Sequence, residues 1–101
     1  MIRVEPIQLE GYTAIAIEVK LPKTTLLVVT TDKGYIMCGA LDISLLNAHL
    51  KDRHIIAARA TGVKTIQELL DAPLESVTYT AEDLGIIAGM TGREAILKMM
   101  S

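Results

Sequence analysis

Cys38 is the sharpest candidate for chemistry in this chain of 101 residues. It stands near the end of an alternating, strand-like stretch, with Gly39 behind it and a helix-like pattern opening near Asp42. A thiol held near a helix N-terminus is favoured as the nucleophilic thiolate. His49 or His54, brought close in space, would then serve as its general base. The plainer alternative is a buried small apolar side chain, the usual state of a free cysteine, and Ile36 and Ala40 share its strand face.

The second candidate is the loop Arg59-Ala60-Thr61-Gly62-Val63-Lys64-Thr65, which joins a strand to a helix start. Helix N–H groups together with Arg59, Lys64 and Thr65 can hold a phosphate or carboxylate. The loop is not a Walker motif, because the glycine spacing and the Gly-Lys-Thr tripeptide are missing. Its alternative is a capped helix start with solvated charges.

The chain has one cysteine and two histidines, too few for a closed four-ligand zinc site within it, so no metal is expected; a site shared across a symmetry axis stays open. Thr91-Gly92-Arg93-Glu94 has a capping-box pattern that occupies its own Thr and Glu. Met90, Met99 and Met100 read as core or interface filler. No dinucleotide fingerprint, serine elbow or paired-acid motif is present, so no cofactor is expected.

The elements that must position these groups are legible from periodicity. Ile2 to Leu9 alternates, but its apolar parity slips across Pro6, which predicts a bulge. Gly11 marks a turn. Tyr12 to Leu21 places Thr13, Ile15, Ile17, Val19 and Leu21 on one face, with Glu18 and Lys20 on the other. After the turn at Leu21-Pro22-Lys23, the stretch Thr24 to Thr31 holds Leu26-Leu27-Val28-Val29, apolar on both faces and therefore covered on both. Asp32-Lys33-Gly34 is a hairpin loop with Gly34 as its left-handed residue, and Tyr35 to Ala40 a fourth strand. These four form an antiparallel meander.

From Asp42 the period becomes helical, with Ile43, Leu46 and Leu50 on one face, Leu45 and His49 beside them, and His54 ending the helix. Asp42 caps its start, while Lys51 and Arg53 suit its end. Ile55 to Ala60 is a short strand broken by Gly62. Three short helices follow, with N-caps at Thr65, Thr80 and Thr91; Glu68 and Glu94 complete capping boxes in the first and third. Pro73 stops the first of them, and Leu74 to Tyr79 is either loop or strand.

Composition bounds the rest. Half the residues are hydrophobic and 22% are charged, enough apolar surface to fold one domain, residues 1–101. There is no Phe or Trp and there are only three Tyr, so the core is aliphatic. A domain of this size buries only about two-thirds of its chain's surface, which leaves apolar area for a subunit interface. Net charge is −2, with no basic stripe and no stacking aromatics, which argues against nucleic acid. No run of ~20 apolar residues is present to span a membrane, and the charged first residues do not read as a secretory signal. The lone cysteine suits a reducing cytoplasm.

Four blocks carry a family resemblance: Gly34-Tyr35-Ile36-Met37-Cys38-Gly39-Ala40-Leu41-Asp42, Leu21-Pro22-Lys23-Thr24, Asp71-Ala72-Pro73-Leu74-Glu75-Ser76-Val77-Thr78 and Gly89-Met90-Thr91-Gly92-Arg93-Glu94-Ala95. Taken in chain order they resemble the YunC-like family, a bacterial and archaeal domain of unknown function, over nearly the whole chain. The resemblance implies a tetramerising N-terminal β-region and brings no catalytic residue, substrate or cofactor. It implies glycine at positions 54 and 58, where this chain has His54 and Ala58.

The expectation is an α+β domain: an N-terminal antiparallel β-meander, then a helix, a short strand and short capped helices. Residues 1–40 form a β-rich oligomerisation region and 41–101 a mixed, mainly helical one. The first functional expectation is a cytoplasmic homotetramer with no nucleic-acid or membrane partner. The alternative is a protein binding a small anionic ligand, or a thiol-dependent enzyme, that gathers Cys38 and the Arg59–Thr65 loop into one cavity.

Overall fold

The structure, a computed structural model, describes residues 1–39, 43–49 and 53–101, the side chains of Ser44 and His49 excepted. The chain runs β1 (Ile2–Leu9), β2 (Tyr12–Leu21), β3 (Thr24–Thr30), β4 (Gly34–Met37), α1 (Ile43–His49), β5 (Ile56–Arg59), α2 (Ile66–Asp71), β6 (Ser76–Val77), α3 (Tyr79–Asp83) and α4 (Gly92–Met100). All six strands belong to one sheet in the order β1-β2-β3-β4-β5-β6. The first four form the antiparallel meander, β5 lies parallel to β4, and β6 returns antiparallel. The fold is α+β, as the periodicity indicates.

The slip at Pro6 is not a bulge. The β1–β2 register runs unbroken from Ile2↔Val19 to Leu9↔Tyr12, with Pro6 opposite Ile15. Lys20 N donates to Met1 O at 2.8 Å. Counting in twos from that pair, the main chain at Pro6 turns its nitrogen away from β2. Because β1 is an edge strand, the missing N–H removes no ladder bond. The parity change is therefore real: Ile2 and Val4 face one side of the sheet, Ile7 and Leu9 the other.

Opposed residues share a face, so the register sorts the sheet into two sides. One side carries Leu9, Ala14, Ala16, Leu27, Val29 and Ile36, all buried in the main core with Leu69, Ile96 and Met99 of α2 and α4. On the other side, α1 covers only β4 and β5, through Ile43 and Leu46 packed on Ala57 and Tyr35. Over β1–β3 that second side holds Ile2, Val4, Ile15, Ile17, Val19, Leu21, Leu26 and Val28, and no helix among the described residues covers it. Ile2 is 69% and Val4 60% exposed. The apolar stripe of β2 is thus the open side, and the small Ala14 and Ala16 are what the helices lie against.

Asp42, Leu50 and Lys51, expected to cap and flank α1, and Ala40 lie outside the described residues. His54 falls beyond α1 instead of ending it. Gly34 is not left-handed; a Cβ there would sit 2.4 Å from Ile56 O, so it is the close approach of β5 that requires glycine. His54 does adopt a left-handed φ of 53°, a region that favours glycine. Ala58, by contrast, is fully buried in the core.

The helix caps form at Thr65 and Thr91. At Thr91 the reciprocal box is complete: Glu94 N donates to Thr91 Oγ1 at 3.2 Å and Thr91 N donates to Glu94 Oε1 at 3.3 Å. At Thr65 the return bond shifts by one residue, Glu68 Oε1 accepting from Lys64 N at 2.7 Å. The middle cap is Thr78, not Thr80. Buried Thr78 accepts from Ala81 N at 3.3 Å and from Ala57 N of β5 at 3.1 Å, so one hydroxyl closes the helix end and the sheet edge together.

Candidate functional site

Cys38 follows the last residue of β4 on the core side of the sheet and is 6% exposed. Its sulfur accepts from Leu27 N at 3.5 Å and donates towards Thr25 O at 3.9 Å. Both polar functions of the thiol are thus engaged by β3 main chain. α1 lies on the opposite side of the sheet, so the thiol faces α2 and the core instead of the helix that follows it in sequence.

Arg59 pairs in register with Met37, one residue before Cys38, and so points to the opposite face from Cys38. There its Nε lies 3.6 Å from Glu75 Oε1. The expected single cavity holding Cys38 and Arg59 does not form, because neighbouring strand positions face opposite sides. The bases are no nearer. Cys38 is level with Ala60, just past the end of β5, while His54 precedes the start of β5, so the whole strand Ile56–Arg59 lies between them. The side chain of His49 lies outside the described residues.

The rest of the loop does line a cleft. Val63 and Lys64 face Lys23 of the β2–β3 turn and Thr24 and Thr25 at the start of β3 across a space of about 350 Å³. Thr25, whose carbonyl the thiol approaches, forms part of the wall. Thr65 is absent from it, because its hydroxyl is committed to Glu68 N. The Glu68 carboxylate, bound to Lys64 N, already occupies the start of α2 as a resident anion. Lys23 has a left-handed φ of 65° in the turn its sequence predicts, and the folded turn brings it opposite Lys64.

Met99 is fully buried in the main core, with Met90 and Met100 packed against it, as apolar filler should be. Arg93 pairs with Asp71 at 3.3 Å. That pair, and first of all the 2.7 Å bond from Gln67 Nε2, holds the Asp71 carboxyl below its ordinary range. No helix among the described residues is long and apolar enough to cross a membrane.

The model of the domain of unknown function DUF1805 matches residues 37–99, from the last residue of β4 to α4. The chain is 64% identical to the uncharacterized protein YunC of Bacillus subtilis (strain 168) over 100 residues, 99% of each chain.

This chain belongs to the DUF1805, YunC-like family.

Among solved structures, the crystal structure of TA1206, a protein of unknown function from Thermoplasma acidophilum, superposes with a TM-score of 0.87 at 30% identity, covering 98% of this chain and 93% of that one. The fold is therefore shared with that protein over nearly the whole of both chains. The family match begins at Met37, so the meander β1–β3, with its open apolar side, precedes the matched segment.

Proposed function

We propose that this YunC-like protein is a self-assembling homotetramer of the cytoplasm, built through its N-terminal strands, residues 1–40. The observation that carries the reading is the open side of β1–β3. Its thirteen positions are Ile2, Val4, Pro6, Gln8, Thr13, Ile15, Ile17, Val19, Leu21, Thr24, Leu26, Val28 and Thr30, and none is ionisable. Three strands ~4.8 Å apart and ~25 Å long give a footprint on the order of 350 Å² before side-chain relief is counted. That is the scale of the largest apolar patch on a typical protein surface, and such patches are often functional.

A second copy of the chain is the occupant that suits this surface. An uncharged face is complementary to itself, and two such faces pack ~10 Å apart as a sandwich about a two-fold axis. The free edge of β1 is less suited to pairing, since Pro6 and the Arg3–Glu5 ion pair blunt it. Tyr79, Leu84 and Ile87, all about half exposed around α3, supply apolar surface for a second two-fold that completes a tetramer. The cytoplasmic assignment rests on the single free cysteine.

Sedimentation equilibrium at micromolar concentration tests this reading. The expected mass is that of four chains; a clean monomer contradicts the reading, and a clean dimer removes the second interface.

A further inference from the structure

A separate cleft lies at the other end of the β4–β5 pair from Cys38. It occupies about 310 Å³ between the β3–β4 hairpin and the segment that leads into β5, and is lined by Thr31, Asp32, Lys33, Tyr35, Arg53 and His54 among others. We propose that it binds a small phosphate-bearing anion, held by Arg53, His54 and Lys33.

Charge is the first argument. The chain carries a net −2, yet among the described residues three basic side chains meet one acid at this cleft. Local positive charge against a negative whole concentrates anions there. The second argument is the partnering of the arginines. Arg3, Arg59 and Arg93 each lie beside a carboxylate, Glu5, Glu75 and Asp71 respectively. Arg53 has no such partner among the described residues. Its planar fork is therefore available for the paired oxygens of a phosphate, the geometry that arginine recognises best. Lys33 reaches Ser101 O at 3.5 Å, and its ammonium retains further protons to donate.

The walls are also set in place. The hairpin is tied by Thr31 Oγ1, which accepts from Lys33 N and Gly34 N and donates to Gly34 O at 2.8 Å. Gly34 in turn lets the hairpin lie directly on Ile56. Opposite it, His54 is held at a left-handed φ that glycine would adopt with less strain. A bulky, donor-bearing side chain at such a position fits a site that uses it. A dianion matches two or three clustered cations better than a lone carboxylate does, which fixes the class as phosphate.

Titration of the full chain with inorganic phosphate at low ionic strength, followed by calorimetry, tests the proposal. The expected result is saturable binding at one phosphate per chain. Arg53→Gln should weaken it about tenfold or more. His54→Gly should weaken it while the melting temperature stays level or rises, which separates lost binding from lost folding. Asp32→Asn should tighten it. Absence of saturable binding by the wild-type chain into the millimolar range, or wild-type affinity in either the Arg53 or the His54 variant, overturns the proposal.

Discussion

The two sides of β1–β3 contrast in an unexpected direction. The side against the helices carries Arg3, Glu5, Glu18 and Lys20 towards one end and only Ala14 and Ala16 in the middle of β2. The side without helices carries Ile15, Ile17 and Val19 in the same strand and no charge at all. If solvent were the permanent neighbour of the second side, the distribution would be reversed. Small alanines let α4 lie close to the sheet, whereas a row of β-branched side chains suits another sheet. The amino-acid choice on each side thus reports the kind of surface it meets.

A buried charge gives the largest test of that contrast. Ile17→Glu places a carboxylate on the open side and should break the sheet-to-sheet interface, leaving folded chains no larger than the dimer that the α3 surface can hold. An unpaired charge in a dry interface costs about 3–5 kcal/mol, or some hundred- to several-thousand-fold in association. Ala14→Glu, on the helix side three residues earlier, should instead unfold the chain. Sedimentation and far-UV circular dichroism of the two variants decide between these fates. Equal behaviour would mean that the two sides do not differ.

The helix caps offer a smaller comparison. Thr65 caps α2 at an exposed position, so Thr65→Ala should cost about 1 kcal/mol. Thr78 is buried and serves two N–H groups, so Thr78→Ala should cost more, about 2–3 kcal/mol. Denaturant unfolding with the oligomer intact measures both. Cys38 sharpens the account further: its buried, doubly engaged thiol should be alkylated slowly by iodoacetamide in the native protein and rapidly after unfolding. Fast native labelling would restore the thiol-enzyme reading.

The smallest effect belongs to Asp71. Its carboxyl is held below its usual range, by Gln67 first and then Arg93. A lowered folded-state pKa means that the contribution is present above the unfolded carboxylate value and is lost as pH falls through the folded one. The group is exposed, so the effect on stability should be slight. An NMR titration should show Asp71 moving upward both in Gln67→Ala and in Arg93→Gln.

The meander was legible because Gly11, Pro22 and Gly34 punctuate clean alternation, and the caps at Thr65 and Thr91 because capping is local chemistry. The errors share a cause. The continuous register at Pro6 depends on β1 being an edge, and the cap at Thr78 on a hydroxyl shared with β5; neither fact is local. The phosphate cleft was invisible for the same reason, since only the parallel pairing of β4 and β5 brings Lys33 to Arg53. Cys38 and Arg59 looked like partners in sequence, and the alternation of strand faces parts them.

The central claim, that a second copy covers the open side, is tested most directly by methyl NMR of the wild-type chain with a soluble paramagnetic gadolinium chelate. Leu27 and Val29, fully buried on the helix side, set the protected limit, and Leu45 of α1, 47% exposed and outside both proposed interfaces, sets the open one. The account predicts that the methyls of Ile15, Ile17, Val19 and Val28 relax as slowly as those of Leu27 and Val29. Relaxation as fast as that of Leu45 would show the face bare and contradict it.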